Sequence, residues 1–189
     1  YGTVGQGYGQ GGFIGKNGDY HQWGNYYHNN SNGYYYGGGN GATGTFNGTY
    51  QHPWRCQLRM DLTWARALAG DPDYAKFLTD INGNDLGYLD ADGNPTVSRP
   101  KIYQVHKGSS KGFYLLENGM VHAAGYGADG LKGDGTTDTR YTAVPVSFYD
   151  NSSTLLTGAA LPKIKQMQIS DAHTGDTTAS DFNGMYYFL

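Results

Sequence analysis

Cysteine is almost missing from this chain. Cys56 stands alone in 189 residues, so no disulfide can close within it, and cysteine usage says nothing about compartment. Charge is scarce as well: Asp, Glu, Lys and Arg make up 15%, and the net charge is −3. With no basic excess, there is no electrostatic footprint for nucleic acid or for an anionic membrane surface. No apolar run is long enough to span a bilayer, and no secretory signal opens the sequence, so membrane insertion is not expected. The chain starts at Tyr1 and reads as a processed chain or a piece of a larger one.

Catalytic and metal-binding signatures are equally sparse. The histidines at 21, 28, 52, 106, 122 and 173 never fall three or four positions from one another, as a compact zinc site usually requires. No G-x-S-x-G elbow is present. Cys56 sits on an alternating stretch (Trp54, Cys56, Leu58, Met60) and reads as a strand's inward small residue, not a nucleophile. Gly125 to Gly130 satisfies G-x-G-x-x-G, as does Gly7 to Gly12. The residues after Gly130 are turn formers without helical period, so no helix N-terminus is offered to a pyrophosphate. Asp80 to Asp85 and Asp90 to Asn94 look like calcium loops, but counting from Asp80 puts Asp85 at position six and Ala91 at position twelve. An EF-hand needs Gly and a bidentate Glu there, so Asx-turn chemistry is the expected use of these side chains. No metal, cofactor or catalytic residue is assigned, and the chain is not read as an enzyme.

What the chain does have is glycine, 31 residues, and tyrosine, 18. Many glycines and aromatics with few charges fit short strands joined by tight turns, and they do not fit a helical bundle. The most informative stretch runs from Gly112 to Val146. Phe113-Tyr114-Leu115-Leu116 is apolar on both alternating faces, so as a strand it needs cover above and below. Asn118-Gly119 then supplies a turn expected to be of type I′, followed by Met120 to Ala124, a glycine-rich loop, and a β-rich run from Tyr141 to Phe148.

Parts of this pattern recur. Phe13-Ile14-Gly15-Lys16 leads to Asn17-Gly18, and His21 and Trp23-Gly24 answer His122 and Ala124-Gly125. Pro100-Lys101-Ile102-Tyr103-Gln104-Val105 returns 62 residues later as Pro162-Lys163-Ile164-Lys165-Gln166-Met167. Gly112 to Leu116 is echoed by Gly184 to Leu189, with an insertion expected between 171 and 183. Such repeats signal propellers and solenoids, because one unit cannot bury its own faces.

Together these residues resemble a repeat of the regulator of chromosome condensation family: the aromatic-aliphatic strand Phe113 to Leu116, the turn Asn118-Gly119, the short strand ending in Ala124-Gly125, the loop Leu131-Lys132-Gly133-Asp134-Gly135-Thr136, and Val144-Pro145-Val146. Ala124 stands where the family prefers Trp, and Lys132 is inserted before the Gly. The resemblance implies a mostly β fold of antiparallel propeller-blade repeats, an incomplete ring here, with an inserted loop and short-helix segment. The expected division is a first repeat hairpin over 1–25, a divergent insertion or hidden blade over 26–99 with a short helix at about 61–78, and one full repeat plus the start of another over 100–189. Asp61 is the expected helix cap.

Repeats of this type also occur in bacterial surface proteins and in virion proteins of bacterial viruses. The expectation is therefore a non-catalytic structural or adhesive component of an extracellular assembly, a phage tail or fibre protein, with other subunits as partners. The alternative is a carbohydrate-binding module of a cell-surface protein, and behind it a glycan-active enzyme. Tyr26, Tyr27, Tyr34, Tyr35, Tyr36 and Tyr50, in and beside a Gly- and Asn-rich run, are the candidate interface or glycan contacts. The expected location is extracellular or on a virion surface.

Overall fold

The computed structural model describes residues 4–6, 10–26, 48–107, 111–125, 127, 130, 132–169 and 186–188. Its elements in chain order are β1 (Val4–Gln6), β2 (Gln10–Ile14), β3 (Tyr20–Tyr26), β4 (Gly48–Leu58), α1 (Met60–Leu68), a 3-10 turn (Ala75–Phe77), β5 (Ile102–Lys107), β6 (Lys111–Leu116), β7 (Val121–Gly125), β8 (Arg140–Pro145), a second 3-10 turn (Gly158–Ala160), β9 (Met167–Ile169) and β10 (Tyr186–Phe188). The chain is mostly β, and among the described residues its strand pairs are antiparallel with one exception. The strands form a five-stranded sheet of order β1-β5-β6-β7-β8, a three-stranded sheet β2-β3-β4 and the pair β10-β9.

The first two hairpins are one object built twice. In β2–β3 the partners are Gln10 with Gly24, Phe13 with His21 and Ile14 with Tyr20. In β6–β7 they are Lys111 with Gly125, Tyr114 with His122 and Leu115 with Val121, each shifted by 101 positions. The exception to antiparallel pairing obeys the same shift: β1 pairs with β5 in parallel, with Val4 opposite Val105. Equivalent residues of successive units therefore lie side by side.

Each unit is closed by a clasp. The Ile102 N–H donates to Gly18 O (3.3 Å), and the Ile164 N–H donates to Gly119 O (3.0 Å), so the recurring Pro-Lys-Ile tripeptide docks on the Asn-Gly turn of the hairpin before it. These glycines are required on two counts. Gly18 and Gly119 both hold φ at +83°. A Cβ on Gly18 would meet the Lys101 Cα at 2.9 Å, and one on Gly119 would meet the Lys163 Cα at 3.1 Å.

The turn itself differs from expectation. Gly119 N–H donates to Leu116 O and Leu116 N–H donates to Met120 O, at 2.9 and 2.8 Å. Asn118 is not among the residues with positive φ, so this is a type I turn closed by a Gly bulge and not type I′. The Asn118 side chain explains the choice, because its Oδ1 accepts from the Met120 N–H (3.1 Å) while its Nδ2 donates to the Tyr88 hydroxyl (3.1 Å). The same three-residue loop recurs at Gly15–Asp19, Asp80–Asn84, Asp90–Asn94 and Asp150–Thr154. In the last three, the leading Asp accepts the N–H groups two and four residues on, at 2.8 to 2.9 Å, which is Asx-turn chemistry.

β6 is covered on both faces. Tyr114 and Leu116 enter one apolar cluster with Ile102, Val105, Ala124, Ala143, Trp64 and Phe77. Phe113 and Leu115 enter another with Val121, Ala123, Val146, Ile164 and Met167. Burial of each such side chain contributes about 2 kcal/mol. The first cluster depends on the segment after β4, where α1 lays Met60, Trp64 and Ala67 inward. The N-terminus of this helix is not held by Asp61, which instead accepts the Arg59 guanidinium at 2.7 Å. Its partner is Asp19, 41 residues back at the end of the first hairpin's turn, whose Oδ1 accepts the Met60 N–H at 2.8 Å. A carboxylate suits the positive end of the helix dipole, and a longer-range cap was not legible from local spacing. The 3-10 turn Ala75–Phe77 then packs beside β8.

The third copy attaches through a side chain. Gln104 is buried in β5, and its amide Nε2 donates to Met167 O (2.7 Å) while its Oε1 accepts the Met167 N–H (3.0 Å). A glutamine here imitates a backbone partner and fixes the start of β9 against β5.

Candidate functional site

The duplicated clasps place a groove on the surface. Ile102, the first residue of β5, and Ile164 are both buried, and their neighbours on either side are exposed: Lys101 and Tyr103 in one copy, Lys163 and Lys165 in the other. Two adjoining hollows, of about 270 and 450 Å³, share Tyr103 and Glu117. Lys16 and Lys101 border the first, Lys163 and Lys165 the second, and Glu117 is the only carboxylate in either lining. Tyr103 is 46% exposed, among the most exposed large side chains of the described residues. None of the four lysines takes part in an ion pair among the described residues. The Glu117 N–H donates to Lys101 O at 2.9 Å, which anchors the groove floor to the first clasp. The arrangement presents an aromatic face between two pairs of ammonium groups, with one carboxylate able to accept hydroxyl hydrogen bonds.

Sequence reasoning did not single out Tyr103. The signal was present in the Pro-Lys-Ile echo, read as an alternating strand whose outward positions carry Lys, Tyr and Lys. Of the tyrosines that were singled out, Tyr26 closes β3 with its backbone opposite Gly48, and Tyr50 lies on β4 with its backbone opposite Gly24. Tyr27, Tyr34, Tyr35 and Tyr36 lie outside the described residues.

Two buried polar groups occupy the interior. His122 is fully buried, its Nε2 is 3.0 Å from Phe77 O, and its ring stacks on Phe77 with centroids 4.2 Å apart. Its Nδ1 has no hydrogen-bond partner among the described residues. Burial pushes its pKa from 6.5 down to about 4, against the smaller opposing effect of the Phe77 carbonyl. The neutral ring therefore donates Nε2–H to that carbonyl. His21, its counterpart in the first hairpin, stacks instead on the exposed ring of Phe13 at 4.9 Å.

The second group is the inserted Lys132. Its Nζ is fully buried and lies 3.0 Å from Asp134 Oδ1. Asp134 also accepts from the Thr136 N–H at 3.1 Å and from Arg140 Nε at 3.2 Å. Burial would raise the Asp134 pKa, but Lys132 above all, then Thr136 and Arg140, hold it below the usual carboxylate range. With every member of the cluster paired, it ties the loop between β7 and β8 together and leaves no free nucleophile or base. The Gly125-to-Gly130 motif belongs to this loop, and its described continuation, 132–139, is made of turns and bends and not a helix.

Among the described residues no three His, Cys, Asp or Glu side chains are placed to hold a metal ion. No described helix is long and apolar enough to cross a membrane. No family model and no curated protein matches this chain.

Proposed function

We propose that this chain is a non-catalytic structural or adhesive component of an extracellular assembly, built on propeller-blade repeats of the chromosome-condensation-regulator type, as in a tail or fibre protein of a bacterial virus. The observation that carries the reading is the residue-for-residue duplication of the hairpin together with the parallel joining of β1 to β5. A join that sets equivalent residues side by side can be repeated, whether by further units or by other subunits. Among the described strands the five-stranded sheet also ends in two edges, and strand edges favour association. β1 is at one edge of the five-stranded sheet, and β8 is at the other.

The second reading, a carbohydrate-binding module, is favoured by the groove around Tyr103. A hydrolytic role has less support. Inverting and retaining glycosidases both work with two carboxylates, and Glu117 is alone in the lining of that groove. The test of the first reading is the native mass of the particle carrying this chain, with electron microscopy of the same sample. A symmetric multi-copy particle is the expected result. A monodisperse monomer at all accessible concentrations would overturn it.

A further inference from the structure

We infer that the groove centred on Tyr103 binds an acidic glycan, a chain of uronate-bearing sugars. The inference deepens the glycan-contact reading and does not depend on whether the chain assembles.

Charge is the first ground. The chain as a whole is acidic, with a net charge of −3, yet the two hollows that meet at Tyr103 are bordered by four lysines and one carboxylate. All four lysines are exposed and outside any ion pair among the described residues, so their charge is available to a ligand. A polyanion is the complement of such a patch.

The second ground is spacing. Lys101 and Lys163 occupy the same place in two copies of one clasp, each lying over the Gly of an Asn-Gly turn. Tyr103 lies between the hollows and is shared by both. The order across the groove is thus cation, aromatic, cation: the fold repeats the lysine of the clasp, and Tyr103 stands in the first copy where the second carries Lys165. A polymer that alternates carboxylate-bearing and hydroxyl-bearing faces matches it: pyranose C–H groups on the tyrosine ring, carboxylates on the ammonium groups.

The third ground is Glu117. A carboxylate in the middle of the groove accepts hydrogen bonds from sugar hydroxyls, which a uronate chain carries beside its carboxylates and a DNA backbone lacks. That acceptor favours a uronate glycan over a DNA backbone.

The test uses the purified full chain and a polygalacturonate oligosaccharide in isothermal titration at low salt. A neutral dextran oligosaccharide and a single-stranded DNA oligonucleotide serve as contrasting probes. The expected result is uronate binding that weakens with added salt, with dextran and DNA weaker by about tenfold or more. Tyr103→Ala should weaken uronate binding about tenfold, with Tyr103→Phe close to wild type. Lys101→Glu combined with Lys163→Glu should weaken it further. These side chains are exposed, so unchanged thermal melting will show that the variants fold. Failure to bind the uronate probe, binding indifferent to Tyr103→Ala, dextran bound equally well, or DNA bound more tightly would each overturn the inference. None of these outcomes bears on the particle mass, so the assembly reading stands or falls separately.

Discussion

Acid should unfold this protein earlier than its carboxylates alone would dictate, because of His122. The folded state holds the ring neutral, with a pKa near 4, while the unfolded chain restores the ordinary 6.5. Between those values the unfolded state binds a proton that the folded state refuses, so stability falls as pH drops through 6.5 and levels off below 4. At about 1.36 kcal/mol per pKa unit the full loss is about 3 kcal/mol, and most of it is gone by about pH 4.5. Against a typical domain stability of about 5–15 kcal/mol, that is a large fraction. The carboxylates that the fold holds below their ordinary value of 3.8, Asp61, Asp80, Asp90 and Asp134, lose their contribution chiefly at lower pH. The assay is urea denaturation of the wild type and of His122→Gln, at about pH 7.5 and about pH 4.5. Glutamine can still donate to the Phe77 carbonyl but cannot titrate. The wild-type midpoint should fall by about 1 M more than that of the variant. Equal shifts in the two proteins would refute the reasoning.

Other substitutions probe the joints of the fold. Ser153 is the only non-glycine with positive φ among the described residues, at 60°, where the equivalent loops carry Gly18, Gly83, Gly93 and Gly119. Ser153→Gly should therefore stabilise by about 1 kcal/mol, and Gly83→Ala, whose Cβ meets nothing within 4 Å, should destabilise by about as much through backbone strain alone, both read from thermal melts. Asp19→Ala removes the charged acceptor of the Met60 N–H and should lower unfolding free energy by about 2 kcal/mol in urea. Gln104→Ala leaves the N–H and carbonyl of Met167 unpaired. It should cost about 2 kcal/mol, and the Met167 amide should lose its protection against hydrogen exchange, while the Tyr114 amide in the centre of β6 should not.

Much of the β architecture was legible because it rests on short-range rules. Alternation with apolar residues on both faces marked Phe113 to Leu116 as a strand with cover on each side, and Asn-Gly marked both hairpin turns. The turn type was misread because the loop is three residues long: the Asn oxygen of each Asn-Gly turn accepts the N–H two residues on, at Asp19 and at Met120, and the left-handed Gly closes a bulge. The helix cap was misread too. Asp61 stands where a local cap would, but Arg59 beside it claims the carboxylate, and Asp19 comes from just before the neighbouring strand, where Tyr20 pairs with Leu58. Both echoes in the sequence were visible, the Asn-Gly hairpins and the Pro-Lys-Ile segments. That they form two halves of one clasp is a contact between distant segments, and no local pattern encodes it. The groove was missed for this reason, since Lys16, Tyr103 and Lys165 converge only after both clasps have closed.

The clasp also frees a stretch of the chain from any fixed length. Between the hairpin turn and the Pro-Lys-Ile segment that seals it, the first copy spends 82 residues, from Gly18 to Pro100, and the second spends 43, from Gly119 to Pro162. The helix, a 3-10 turn and two small Asx hairpins fit into the longer passage, and one Asx hairpin and a 3-10 turn into the shorter. Both end on an equivalent hydrogen bond, to Gly18 in one copy and to Gly119 in the other. The fold thus resets its own register at every copy, so mutation or an engineer can lengthen, shorten or exchange what lies between without retuning the frame on either side.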